Sequence, residues 1–140
     1  MQNIRKVKLY SGDTVTLAAN FDTYLCYKSA FGMCIEDGKI ELQRFNVKTG
    51  LLATNFAKIK NPTVKDIDAY YDAIKSLQGS YSGISDRRLC IAMILAAGDT
   101  RTVADIERDI ALELNDSGSE LFKALIELMP LLTPELKKNE

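Results

Sequence analysis

The amino-acid sequence predicts an α+β fold that is mainly helical, with an N-terminal β-hairpin packed on a C-terminal bundle of three or four helices. Residues 4–18 alternate polar and apolar side chains around a turn, which is typical of a hairpin. After residue 61, apolar side chains recur at helical spacing behind capping residues. Because 140 residues is the length of one ordinary domain, we expect a single domain over residues 1–140.

Residues 1–32 are predicted to form the hairpin and one helix. The chain turns at Ser11-Gly12-Asp13, and four apolar side chains alternate around that turn: Val7, Leu9, Val15 and Leu17. Asn20 suits the N-cap of a helix, and Gly32 suits its C-terminal end, because glycine tolerates a left-handed backbone. Helical spacing favours a helix between these two residues, although four side chains there also suit a strand: Thr23, Tyr24, Cys26 and Tyr27.

Residues 33–60 are predicted to contain one or two short strands. Glu36-Asp37-Gly38-Lys39 is a tight-turn signal, and the stretch 39–45 alternates polar and apolar side chains with period two. Lys48-Thr49-Gly50 indicates a second turn. On this interpretation the segment is an insertion or a mobile loop between the N-terminal elements and the bundle.

Residues 61–130 are predicted to form the helical bundle, and residues 131–140 a flexible tail. The helices are expected to start at four capping positions: Thr63, Ser85 or Asp86, Thr102 and Ser119. The run 89–97 is apolar on every side, so we expect it to be the buried central helix. Pro130 is expected to stop the last helix.

The composition argues against catalysis. The chain has no His, which excludes Ser-His and Cys-His nucleophile pairs. Its three Cys residues show no C-x-x-C spacing, so the sequence contains no zinc-binding motif. We therefore expect no enzyme, with no catalytic residue, metal or cofactor. Cys26, Cys34 and Cys90 are expected to be small buried apolar residues in a reducing compartment. The lack of a signal sequence and of an apolar run of about 20 residues predicts a cytoplasmic protein with no membrane contact.

The charges are unevenly distributed along the chain. Residues 1–60 carry nine Lys or Arg against five acids, whereas residues 61–140 carry nine against fourteen. This asymmetry either attracts the two halves of one fold to each other or brings opposite faces of neighbouring copies together. Under the second interpretation, the chain can form a homo-oligomer.

The last helix carries two apolar rows at helical spacing. One row is all leucine and is called the leucine row: Leu121, Leu125 and Leu128. The other is called the mixed row: Phe122, Ile126 and Met129. Both rows are buried if the bundle is small, but a face wider than one core requires is also what a partner-binding surface has. We predict that the mixed row binds a partner, because Met and Phe are favoured at adaptable contact surfaces.

Two stretches of the chain together resemble a known family, the tail assembly chaperones of long-tailed bacteriophages that infect Gram-positive hosts. The segment Tyr24-Leu25-Cys26-Tyr27-Lys28-Ser29-Ala30-Phe31-Gly32 is similar to a Tyr-Lys/Arg-x-x-Phe-Gly segment that follows an N-terminal hairpin in that family. The helices over residues 88–130 resemble its C-terminal half. The chain departs from the family at residues 33–60, where the family usually continues with helix.

The resemblance implies a non-catalytic role in virus assembly. Such chaperones coat the long tape-measure protein before the tail tube polymerises, and they recruit tube subunits. Tape-measure protein and tail-tube protein are therefore the expected partners, and the host cell cytoplasm is the expected location.

An alternative function is a small phage-type transcriptional regulator that uses the helix pair 86–115 for DNA or partner binding. This pair superficially resembles a helix-turn-helix unit, whose second helix enters the major groove. Here that helix carries four acids against a single base, Arg108, so we expect no nucleic-acid binding. The four acids are Asp105, Glu107, Asp109 and Glu113.

Overall fold

The computed structural model describes residues 3–132 and confirms the predicted fold class. A two-stranded antiparallel hairpin is followed by six helices. The chain divides into two compact units: unit 1 comprises residues 1–35 and 85–140, and unit 2 comprises residues 36–84. The start of the bundle, predicted at residue 61, therefore does not coincide with a boundary between the units, and a single domain over residues 1–140 stays a prediction.

The hairpin of unit 1 has the predicted turn and register. Strands β1 (Ile4–Lys8) and β2 (Thr14–Ala18) pair so that Val7 lies opposite Val15. The Leu9 amide donates to the Asp13 carbonyl at 2.7 Å, and Gly12 has φ of 95°, which an L side chain rarely adopts. The alternating apolar side chains of both strands face the core and are buried.

Helix α1 (Phe21–Phe31) follows the hairpin directly, which confirms the helical interpretation of this segment. The Thr23 hydroxyl donates to the Ala18 carbonyl at 2.7 Å and accepts the Asn20 amide at 3.1 Å, so it joins the helix start to β2. Gly32 ends the helix with φ of 71° and donates its amide to the Lys28 carbonyl. The Tyr24 and Tyr27 rings are buried in the core of unit 1.

Helix α4 (Asp86–Ala96) is the central helix of unit 1, as predicted. Ser85 caps it by accepting the Arg88 amide on its hydroxyl at 3.2 Å. All six residues 89–94 are buried, because the helix packs against α1 on one side and against β2 and α5 (Val103–Leu114) on others. An apolar run without a polar face is stable only in such a position.

Helix α6 (Glu120–Leu128) completes unit 1 by packing on β1, β2 and α5. A short 3₁₀ turn, Met129–Leu131, follows it and contains Pro130. Leu132 is buried, so the predicted tail cannot begin at residue 131. Residues 133–140, the rest of that tail, lie outside the described residues.

The prediction of short strands over residues 33–60 is wrong, because this segment forms helix α2 (Ile35–Ala57). Six of its residues recur at spacings of four and three and are buried or half-buried: Gly38, Leu42, Phe45, Thr49, Leu52 and Phe56. This inner row packs toward α3 (Val64–Ser80), with the Phe56 and Tyr70 rings 4.7 Å apart between centroids. The apolar spacing over the whole segment is thus helical, whereas the period-two alternation and the two turn signals are confined to short stretches of it.

Unit 2 is thus an antiparallel helix hairpin. Thr63 and Asp66 form the predicted capping box at the start of α3: the Thr63 amide donates to Asp66 Oδ2 at 2.9 Å, and the Asp66 amide donates to Thr63 Oγ1 at 3.2 Å. At the other end, the Phe45 and Tyr81 rings lie 4.8 Å apart. The predicted bundle over residues 61–130 is corrected accordingly, since α3 pairs with α2 in a separate unit from α4–α6.

The three cysteines differ in their surroundings. Cys90 is fully buried in α4, and burial raises the pKa of its thiol to about 12. Cys26 and Cys34 are half-buried, so the prediction of three buried cysteines holds for Cys90 alone.

We expect a thiol reagent at mildly alkaline pH to label Cys26 and Cys34 in the native protein but to leave Cys90 unmodified, because the thiolate is the reactive form. Peptide mass spectrometry with and without urea measures this difference, and a Cys90→Ala variant identifies the protected site. Labelling of Cys90 in the native protein at the rate of Cys34 would contradict the assignment of α4 as the buried centre.

Candidate partner-binding surfaces

The two apolar rows of α6 differ in exposure. The side chains of the leucine row are fully buried at 0% exposure. In the mixed row, Ile126 is 47% exposed and both Phe122 and Met129 are half-buried. The leucine row therefore belongs to the core of unit 1, and the mixed row lies on the surface beside it. Partner binding by the mixed row stays a prediction.

Polar contacts fix the orientation of α6 and with it the mixed row. The Ser119 hydroxyl accepts the Phe122 amide at 3.1 Å and donates to the Glu113 carbonyl at 2.8 Å, so it joins the start of α6 to the end of α5. Arg5 Nε lies 3.0 Å from Glu127 Oε2, which connects α6 to β1. The mixed row is thus presented on a helix held at both ends.

Glu113 is buried, although its position in the acidic helix α5 predicts that it faces the solvent. It is 4% exposed, and its Oε1 accepts the Tyr10 amide at 2.7 Å. The Tyr10 hydroxyl also donates to Asp116, and this hydrogen bond holds the pKa of Asp116 below its usual range and raises that of Tyr10. These contacts attach the hairpin turn to the end of α5.

The remaining acids of α5 are paired with arginines. Arg87 Nη1 lies 2.8 Å from Glu107 Oε1, and Arg108 Nη2 lies 2.8 Å from Asp105 Oδ1. Arg101 bridges Asp109 and Asp99, and it lowers the pKa of Asp99. In residues 103–114 these pairs leave no basic stripe of the kind that follows a phosphate backbone.

Unit 2 carries a second apolar surface, which the sequence analysis missed. Three large side chains of α2 are exposed: Ile40 (46%), Val47 (63%) and Leu51 (58%). A groove of about 420 Å³ adjoins Leu51 and is lined from α3 by Ala73 and Leu77. Within α3 as the structure describes it, no residue is fully buried. The hairpin therefore leaves much of its apolar surface in water. The apolar residues that recur every three or four positions from Gly38 would have identified α2, had they been weighed above the alternation of every second residue.

The described residues show neither a metal site nor a membrane-spanning helix. In residues 3–132, no three His, Cys, Asp or Glu side chains are grouped so that they could hold a metal ion. None of the helices in that range combines the length and apolarity needed to cross a membrane. Comparisons with protein-family models, curated proteins and solved structures give no match to this chain.

Proposed function

We propose that this protein is a tail assembly chaperone of a long-tailed bacteriophage, which binds the tape-measure protein and recruits tail-tube subunits in the host cell cytoplasm. The observation that carries the proposal is the partly exposed mixed row on α6, in which Ile126 is exposed next to a leucine row that is fully buried. Because the leucine row holds α6 in the core, the helix can present Ile126 without losing its own packing. A helical partner recognises such a row through side chains spaced three and four residues apart.

The resemblance to the chaperone family adds support. The segment 24–32 forms most of α1 and its glycine end, after an N-terminal hairpin. Residues 33–60, where the sequence pattern departs from that family, form helix in this protein. Helix α2 thus removes the departure that the sequence analysis found.

Co-expression with fragments of the tape-measure protein tests the proposal. The tape-measure gene is expected immediately downstream, as a very long and helical reading frame. Fragments that aggregate alone are expected to stay soluble and to co-purify with the wild-type chain. The Ile126→Lys variant is expected to lose this effect, because a lysine places a charge in the apolar contact.

Leu25→Lys is the matched control, since Leu25 on α1 is 53% exposed and lies outside the mixed row. This variant is expected to keep the fragments soluble. If both variants keep the fragments soluble to the same extent, binding through the mixed row is contradicted. Failure of the wild-type chain with every fragment would contradict the proposed function. Salt-sensitive retention of DNA in a mobility-shift assay would favour the regulator instead.

A further inference from the structure

Helix α2 has a second, largely apolar row that is exposed, and its C-terminal member Leu51 borders the groove beside α3. Ile40, Val47 and Leu51 are exposed, and with Arg44 they recur at spacings of four, three and four. We call these four residues the outer row. It is offset by two positions from the inner row, which is about 200° around a helix. Spacing of this kind is typical of a helix that packs along another helix.

The charges of α2 are separated along its length. Its acids lie in the first two turns: Glu36, Asp37 and Glu41. No acid occurs from residue 42 to residue 65, and this stretch contains five bases, of which Arg44 and Lys48 lie on α2. The ion pair between Arg44 and Glu41 lies within α2 itself.

We propose that a second copy of this chain covers the outer row with its own α2, running antiparallel. An antiparallel pair brings the acidic start of each helix beside the basic middle of the other. The outer row matches itself in this direction, since Ile40 faces Leu51 of the second copy and Arg44 faces Val47. Glu41 then lies next to Lys48 of the second copy, at the flank of the contact.

A parallel pair is disfavoured, because it places Arg44 beside Arg44 of the second copy within the contact. Two helix hairpins joined through α2 give an assembly of four helices, which is a common way for helical hairpins to bury apolar surface. The proposal concerns the isolated chain and is independent of the proposed function.

The molar mass of the purified chain, measured by sedimentation equilibrium, tests the proposal. The wild-type protein is expected to be a concentration-dependent dimer. Val47→Glu is expected to be monomeric with unchanged helical circular dichroism, because Val47 is 63% exposed and its replacement leaves the inner row intact. Leu25→Glu, at a site 53% exposed in unit 1, is the control and is expected to remain dimeric. A wild-type monomer, or a dimer that Val47→Glu leaves intact, would overturn the proposal.

Charge exchange tests the antiparallel direction. Glu41→Lys and Lys48→Glu are each expected to raise the dimer Kd by about 5-fold, since each change affects two symmetric ion pairs at the rim. The double variant with both changes is expected to return the Kd to near its wild-type value. If the two increases in Kd instead multiply in the double variant, the antiparallel arrangement is overturned.

Discussion

Replacing Ile94 by aspartate is expected to unfold unit 1. Ile94 is fully buried in α4, which packs against α1, β2 and α5. A carboxylate at this position is excluded from water and is expected to cost several kcal/mol. This is a large part of the roughly 5–15 kcal/mol that stabilises a typical domain. Circular dichroism and thermal melting of the purified variant measure the effect.

The conservative variant Ile94→Val is the control. It removes one methyl group and is expected to cost about 1 kcal/mol while preserving the fold. If Ile94→Asp stays folded with an unchanged melting temperature, the assignment of α4 as the buried central helix is wrong.

A change to lysine is expected to destabilise the protein strongly at Leu125 and hardly at all at the adjacent Ile126. Leu125→Lys buries an unpaired ammonium group in the leucine row, at an expected cost of about 3–5 kcal/mol. Ile126→Lys places the ammonium group in water and is expected to change stability by no more than about 0.5 kcal/mol. Urea unfolding followed by circular dichroism measures both variants.

Similar losses of stability in the two variants would mean that the mixed row is also part of the core. The co-expression experiment with Ile126→Lys depends on this result, because a loss of binding indicates an interface only when the variant is folded.

The start of each helix after residue 61 could be predicted because its signal is local. Thr63, Ser85, Thr102 and Ser119 each accept the backbone amide three residues ahead, and this hydrogen bond depends on neighbouring residues alone. The burial of residues 89–94 could also be predicted, since a helix without a polar face has no stable position in water.

Helix α2 was missed for a different reason. Gly38 and Gly50 locally signal turns, and the period-two stretch over residues 39–45 hides a helical spacing that is visible only over the whole segment 38–56. The burial of Glu113 could not be predicted from its neighbours in the sequence. Glu113 accepts the amide of Tyr10, which is 103 residues away. On α6, the different composition of the two rows predicted which row is buried, but what the mixed row binds depends on another molecule.

The division of unit 1 into two separated segments has a consequence for synthesis on the ribosome. Helix α1 packs against α4, yet the whole of unit 2 is translated between them. At about 5–20 residues per second, the chain from residue 36 to residue 128 takes roughly 5–20 s to make. During that time Val7, Leu17 and Tyr27 lack the helices that bury them. The nascent hairpin and α1 are therefore a natural target for the chaperones that meet chains at the exit tunnel.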